Sequence, residues 1–168
     1  LDGGGTSRVM DIHADAVSFD FIIEYLDIKN GYLAASTGNG AGLRAVSENS
    51  GDINLKIHHV GFITNTTSIG AGGGAGGGMT INSYFEATDC YFKDNLANNA
   101  GAMYLSPPDP VDLTFSPKID NCVFEGNMTG SASSVGNIST ILFTNSHSPV
   151  ITNSDFKGNP TWQWSASA

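Results

Sequence analysis

Charge is scarce in this sequence, and basic charge is the scarcest. Only 14% of the 168 residues are charged, roughly half the share found in an average soluble domain. Seven Lys and Arg residues face 16 Asp and Glu residues, which gives a net charge of −9, and the only arginines are Arg8 and Arg44. A nucleic-acid binder normally carries a basic patch, and attachment to an anionic membrane surface also needs basic residues. We therefore expect no nucleic-acid partner and no membrane insertion.

Cysteine and long apolar runs are lacking as well. Cys90 and Cys122 are too few for a disulfide framework or a cysteine-based zinc site, and no apolar run reaches the length of a membrane span. Asn, Ser, Thr and Gly fill the segments between short apolar runs, which is typical of short strands joined by turns. Such a composition favours an exported protein, so we predict an extracellular or cell-surface location.

One pattern of nine residues occurs five times along the chain. The segments are residues 23–31 (IEYLDIKNG), 57–65 (IHHVGFITN), 87–95 (ATDCYFKDN), 119–127 (IDNCVFEGN) and 151–159 (ITNSDFKGN). The last four share an aromatic anchor, with spacings of 30, 32 and 32 residues, at Phe62, Phe92, Phe124 and Phe156. An asparagine follows each anchor three residues later, at Asn65, Asn95, Asn127 and Asn159. In the first segment Ile28 replaces the anchor, and Asn30 falls one residue early.

The aligned positions predict which side chains point inward. The anchor column and the columns two and five residues before it are mostly apolar, whereas the column three residues before it is mostly polar and predicts a bend. Second strands, each led by glycine, are expected at residues 42–46, 78–82, 101–105 and 136–140, and third strands at residues 53–57 and 113–115. A repeat of about 30 residues with three short strands describes one coil of a parallel β-helix.

We therefore predict an all-β, right-handed, single-stranded parallel β-helix of about five coils, forming one domain over residues 1–168. Matching side chains of successive coils would stack about 4.8 Å apart. The asparagines would form an internal hydrogen-bonded ladder. The residue after each anchor, Lys93, Glu125 or Lys157, would place opposite charges on neighbouring coils. A β-sandwich is the main alternative, but it does not explain a repeat in constant register.

Some segments resemble the right-handed β-helix repeats of bacterial surface proteins. CYFKDNLANNAGAMYL at residues 90–105 and CVFEGN at residues 122–127 are similar to the repeats of polymorphic outer-membrane and autotransporter-type proteins. The opening LDGGGTSRVMDI is similar to that of large secreted β-helix proteins of the choice-of-anchor Q type. The resemblance covers nearly the whole chain and implies a fold and a surface location rather than an activity.

The sequence predicts no catalytic, cofactor-binding or metal-binding residues. A resemblance to pectate-lyase-type enzymes, which have this fold, would imply an aspartate cluster that holds calcium and a basic residue in a groove. Asp27, Asp89 and Asp120 belong to different columns or distant coils, and neither arginine lies in a carboxylate motif. An inverting hydrolase on this fold would need paired carboxylates, and none is apparent.

Three other features are interpreted structurally. Neighbouring strand residues point to opposite faces, so His58 and His59 are not expected to chelate one ion. Cys90 and Cys122 share one column, where a disulfide is conceivable but two buried thiols are favoured. The Gly-rich segment at residues 70–78 (GAGGGAGGG) precedes no helix, which excludes a dinucleotide site, and is expected to form a flexible or tightly packed loop that leaves the coil.

The two ends of the solenoid suggest a role. No capping helix is apparent at the start of the chain, and in the terminal segment at residues 160–168 Trp162 and Trp164 could cap the last coil or dock on a neighbour. We expect a structural or adhesive extracellular rod that stacks end to end into a filament. The alternative is a polysaccharide lyase or hydrolase, or a glycan-binding groove. Alignment of the aromatic residues Tyr32, Tyr84, Tyr91 and Tyr104 on one face would favour that alternative.

Overall fold

The computed structural model describes residues 1–34, 38–48, 51–69, 74–108, 114–130, 139–145, 148–159 and 162–167. These residues form eighteen strands in three parallel sheets and no helix. The chain winds through the three sheets in turn, so each turn adds one layer to every sheet. This confirms the predicted all-β parallel β-helix, here with about four turns. Within the described ranges there is consequently no helix long and apolar enough to cross a membrane.

The three sheets form the three faces of the solenoid. The first sheet contains β1 (Met10–Ala14), β4 (Leu43–Ser47), β7 (Met79–Asn82), β11 (Ala100–Ser106), β15 (Ser139–Thr144) and β18 (Trp162–Ser167). The second sheet contains β2 (Phe19–Lys29), β5 (Ile53–Ile63), β8 (Tyr84–Thr88), β9 (Tyr91–Lys93), β12 (Lys118–Asp120), β13 (Val123–Glu125), β16 (Val150–Thr152) and β17 (Asp155–Lys157). The third sheet contains β3 (Tyr32–Leu33), β6 (Thr66–Thr67), β10 (Leu96–Ala97) and β14 (Met128–Thr129).

The repeated segments stack in the second sheet without any slip in register. We number the coils 1 to 5 by the strands that they place there: β2, β5, β8 with β9, β12 with β13, and β16 with β17. Phe62 pairs with Phe92, and Phe124 pairs with Phe92 and Phe156. Alternate residues of each strand point into one apolar core, in which Leu55, Ile57 and Phe62 are fully buried. The register is strongly specified, because a slip of one residue would turn this apolar set outward.

The bend predicted three residues before each anchor is a change of backbone conformation. All five residues of this column have φ values between 50° and 55°, namely Tyr25, His59, Asp89, Asn121 and Asn153. A second column, two residues after the anchor, is also left-handed and contains Asn30, Thr64, Asp94, Gly126 and Gly158. Asn, Asp and Gly tolerate this region best, which explains why both columns are rich in these residues.

Several strand boundaries differ from the predicted ones. The strand expected at residues 136–140 is Ser139–Thr144, and residues 136–138 lie outside the described part of the chain. Ile141 and Phe143 are the inward residues that pair with Met103 and Leu105, so core filling rather than a leading glycine determines this strand. Of residues 113–115, Thr114 and Phe115 are described; neither belongs to a strand, and Phe115 is buried.

The described part of the Gly-rich segment, residues 74–78, is packed inside the stack rather than leaving it. Gly77 donates its N–H to Ala100 O, and Gly42 donates to Gly77 O. A β-carbon on Gly74 would lie 1.5 Å from Gly38 O, and one on Gly76, which has a φ of 65°, would lie 2.0 Å from Met79 O. Glycine is therefore required because backbones approach each other closely here.

The first coil is partly covered by residues 1–7, which pair with it without forming a helix. Asp2 forms a parallel bridge with Lys29, Gly3 donates to Lys29 O, and Tyr32 donates to Ser7 O. This segment pairs with the second half of β2 and with β3, while β2 has no described partner on the same edge before residue 27.

Candidate functional site

A stack of four phenylalanine rings runs through the core of the second sheet. The ring centroids are 4.9, 4.9 and 4.8 Å apart along the series Phe62, Phe92, Phe124 and Phe156, with interplanar angles of 1°, 8° and 12°. The first three rings are fully buried, whereas Phe156 is only partly buried. A spacing equal to the distance between coils shows that the stack follows directly from the strand register.

The asparagine column forms a continuous hydrogen-bonded ladder beside the rings. Asn65 Nδ2 donates to Asn95 Oδ1 (3.0 Å), and Asn95 Nδ2 donates to Asn127 Oδ1 (2.9 Å). Each Nδ2 also donates to the anchor carbonyl of the preceding coil, for example Asn95 to Phe62 O (2.9 Å). The backbone N–H of Asn95 donates to Asn127 Oδ1 (3.2 Å). Each buried amide is thereby satisfied, which avoids a penalty of about 1–3 kcal/mol for an unpaired group.

The first coil continues this ladder with a glycine. Gly31, not Asn30, occupies the ladder position, and its N–H donates to Asn65 Oδ1 (2.9 Å). A β-carbon on Gly31 would lie 2.1 Å from Ala41 O, so an asparagine does not fit there. Asn30 instead turns the corner with a φ of 54° and bonds Asp2 through Nδ2.

Two N-glycosylation sequons begin at ladder residues. Asn65 and Asn127 are fully buried, so their amides are inaccessible for modification in the folded protein. The third sequon begins at Asn137, which lies outside the described residues.

Cys90 and Cys122 are two buried free thiols on neighbouring coils. Their sulfur atoms donate to Thr88 O and Asp120 O, both at 3.2 Å. The hydrogen bond with the Cys90 thiol, together with burial, raises the pKa of Cys122. At neutral pH Cys122 is therefore protonated and behaves as a small apolar side chain.

Charged residues form ladders on the outer side of the second sheet. Lys93 Nζ lies 3.7 Å from Glu125 Oε1, as the alternation of charge suggested, but Lys157 pairs with Asp155 on its own strand (3.0 Å). A second ladder was not anticipated. Glu86 lies between Lys118 (3.2 Å) and Lys56 (3.6 Å), and the hydrogen bond from Lys118 lowers the pKa of Glu86.

Both arginines lie in one ionic cluster on the first sheet, although neither belongs to a carboxylate motif of the sequence. Arg8 forms an ion pair with Asp11, and Arg44 lies 3.6 Å from Asp11 and 3.9 Å from Glu48. His13 Nε2 lies 2.9 Å from Asp11 Oδ1. Asp11 and Arg44 are paired positions of β1 and β4, so the strand register adds Arg44 to the local pair of Arg8 and Asp11. The carboxylates neutralise the arginines, and no anion site results.

His58 and His59 do not form a joint ligand site. His59 occupies the left-handed bend, where its ring contacts Tyr25 edge-on at 4.8 Å and its Nδ1 lies 3.4 Å from Asp89 Oδ2. In the described residues no three His, Cys, Asp or Glu side chains are grouped so that they could hold a metal ion.

A shallow groove runs along the outer edge of the second sheet. It consists of two adjoining depressions of about 390 and 280 Å³ that share Asn54. The residues lining it are Ser18, Phe19, Asp20, Asp52, Asn54, Tyr84, Phe85, Glu86, Thr114, Phe115, Ser116 and Lys118. Asn54 Nδ2 donates to Asp20 Oδ1 (2.9 Å), so the groove offers amide, hydroxyl and carboxylate groups beside one tyrosine ring.

The groove was missed in the sequence, although a signal for it exists. Asp20, Asn54 and Tyr84 are paired positions on successive strands. Asn54 and Tyr84 are 30 residues apart, the same spacing as Phe62 and Phe92. An outward column aligned with the core columns could therefore have been recognised.

The four tyrosines named as candidates for glycan binding do not line up on one face; Tyr32 is exposed and the other three are half-buried. Tyr32 lies in the third sheet and Tyr104 in the first, while Tyr84 and Tyr91 occupy different strands of the second. Tyr91 donates its hydroxyl to Glu125 Oε2 (2.7 Å). The aromatic platform that would favour glycan binding is thus reduced to Tyr84 in the groove.

The predicted end residues Trp162 and Trp164 lie in β18, whose backbone pairs with β15 at Ser139 and Ile141. Their side chains lie outside the described part of the structure, so the cap or docking role stays a prediction.

No protein-family model, curated protein or solved structure matches this chain. The functional proposal is therefore based on the geometry of this chain.

Proposed function

We propose that this solenoid is a structural or adhesive segment of an extracellular rod, extended by end-to-end stacking. Six strands of the first sheet, spaced about 4.8 Å apart, give a height of roughly 25 Å. One copy is thus a short block, and a rod requires further coils at its ends.

The observation that carries the proposal is that core residues of the last coil are partly exposed. Phe156 and Asn159 are partly exposed, whereas their counterparts Phe124 and Asn127 are fully buried. Among the described residues, Asn159 Nδ2 donates to Phe124 O (2.8 Å), while each inner ladder amide makes a second bond to the next coil. Unpaired strand edges of this kind recruit further strands.

The outer surface at this end also favours association. Val150 is 43% exposed and pairs with Lys118 in the column that carries Lys56 and Glu86 on inner coils. An apolar residue thus replaces a charged one at the rim of the last coil, where a charge would oppose strand addition.

Size-exclusion chromatography with light scattering, combined with negative-stain imaging, tests the proposal at micromolar concentrations. We expect particles that lengthen with concentration, and we expect Val150→Lys to suppress this growth. Ile69→Lys is the matched control, because Ile69 is also exposed but follows the inner strand β6. A wild-type chain that stays monomeric throughout would contradict the stacking model.

We propose as a second candidate function glycan binding in the groove, favoured by the polar and aromatic side chains that line it around Tyr84. Tyrosine rings provide an apolar face with a polar tip, suitable for stacking on a sugar ring. A glycan array with the wild type and Tyr84→Ala tests this candidate, and Tyr104→Ala serves as the control on another sheet. Equal binding by both variants would exclude the groove.

A further inference from the structure

Among the described residues, the edge of β2 at the start of the solenoid is paired at residues 27–29 and has no strand partner at residues 19–26. Leu1 N donates to Asp27 O, Lys29 N donates to Leu1 O (3.0 Å), and Asp2 bridges Lys29 in parallel. This register places Leu1 over Ile28, in the column of the phenylalanine anchors. Residues 1–3 therefore lie where the end of a preceding coil would lie.

Burial changes at the point where this pairing ends. Ile28, beneath Leu1, is 0% exposed, as are the inward residues of the next coil. Of the inward residues before Ile28 on the same strand, Ile23 is buried (4% exposed), but Phe19, Phe21 and Leu26 remain partly exposed. Their counterparts on β5 are Ile53, Leu55 and Val60, which are at most 1% exposed.

The outer side of this open stretch carries the exposed carboxylates Asp20 and Glu24, but it also exposes apolar surface. Ile22 is 58% exposed and Tyr25 is 74% exposed. Ile22 and Tyr25 thus add apolar surface to this edge at positions where the next coil carries Lys56 and His59.

We infer that residues 19–26 are a docking edge for one further parallel β-strand, with apolar residues at alternate positions, that leads directly into Leu1. The continuity of the pairing decides this occupant. A strand entering at Leu1 extends the existing hydrogen bonds without moving any residue. The last coil of a second copy would instead have to displace residues 1–3 and would place Asp155 over Asp27 and Lys157 over Lys29. This inference goes beyond the proposed stacking: a strand continuous with Leu1 completes the first coil, and a second copy could stack there only by displacing residues 1–3.

A graft of the chain's own repeat tests the inference. Residues 53–61 (INLKIHHVG) end one position before Phe62, the equivalent of Leu1. Fused directly before Leu1 in the full chain, they would place copies of Ile53, Leu55 and Val60 over Phe19, Phe21 and Leu26. The matched control carries one serine between the graft and Leu1, which shifts the register by one residue and turns the apolar set outward.

Hydrogen exchange of residues 19–26 and thermal unfolding are the measurements. We expect the in-register graft to slow exchange at this edge at least about tenfold and to raise the unfolding midpoint, while the shifted graft does neither. Equal effects of the two grafts would overturn the inference, as would protection in the ungrafted chain that appears only at high concentration, which would identify a second copy as the occupant. If the parent associates, the in-register graft should also reduce association. If the ungrafted chain stays monomeric while the in-register graft slows exchange at residues 19–26, the stacking model would be contradicted and the docking edge would be supported.

Discussion

The inner coils and the end coils of this solenoid contain the same columns in different environments. Phe92 has a ring on both sides and is fully buried, whereas Phe156 is stacked on one side and partly exposed. Asn95 and Asn159 differ in the same way in their hydrogen bonds. The comparison shows that a stacked residue acquires most of its stabilising contacts from the coils above and below it, as expected for a repeat structure in which neighbours interact.

The largest expected difference in stability between an inner coil and an end coil concerns the phenylalanine stack. Phe92→Ala should lower the free energy of unfolding by about 3–5 kcal/mol, because it leaves a cavity in a close-packed core. Phe156→Ala should cost less than half of that, since one side of the ring is open. Urea denaturation followed by circular dichroism measures both values. Equal losses would show that the last coil is as well packed as the third.

In the asparagine ladder, too, a substitution on an inner coil should destabilise the protein more than one on the last coil, but the difference should be smaller. Asn95→Ala leaves Asn65 Nδ2 and Phe62 O without these partners in a buried site and should cost about 3 kcal/mol. Asn159→Ala removes bonds at a partly exposed site and should cost about 1 kcal/mol. The same denaturation experiment applies. If Asn159→Ala proved as costly as Asn95→Ala, the ladder would have to be satisfied beyond the last coil in solution.

The charge ladder should provide the smallest effect. The hydrogen bond from Lys118 lowers the pKa of Glu86 below its unfolded value near 4.5, so its contribution to stability is present above that pH and is lost as the pH falls through the lower folded pKa. Glu86→Gln should remove this contribution, less than about 1 kcal/mol for such an exposed pair.

Stability measured between about pH 7 and pH 3 tests the role of Glu86. Glu24→Gln, on the first coil, makes the same change in net charge and serves as the control. The ion-pair ladder would contribute nothing if both variants followed the wild-type pH profile.

Sequence reasoning succeeded where one residue type recurs at one spacing. The anchors at Phe62, Phe92 and Phe124 revealed the coil length, and the polar column containing Asp89 revealed the bend. It failed where the spacing changes or the residue is replaced. Ser139–Thr144 follows an insertion of different length, and Gly31 replaces an asparagine because the backbone at Ala41 lies too close. Neither event leaves a local pattern that can be aligned.

Contacts across coils were equally difficult to predict without the register. Arg44 joins the local pair of Arg8 and Asp11 because β1 and β4 are paired. The groove around Asn54 and Tyr84 arises from an outward column combined with the path of residues 114–116. Each of these sites is built from two segments of the chain. The sequence does not pair them, because their separation differs from the repeat length or because their residues differ in type.

The amino-acid sequence by itself determined that the chain repeats about every 30 to 32 residues and that its apolar columns must face a common interior. It did so because identical side chains at identical spacing can all be buried only if successive turns stack. The tertiary structure alone decided how the two ends differ, since the pairing of residues 1–3 on β2 and the open face of Phe156 depend on the presence or absence of a neighbouring strand, which no local pattern encodes.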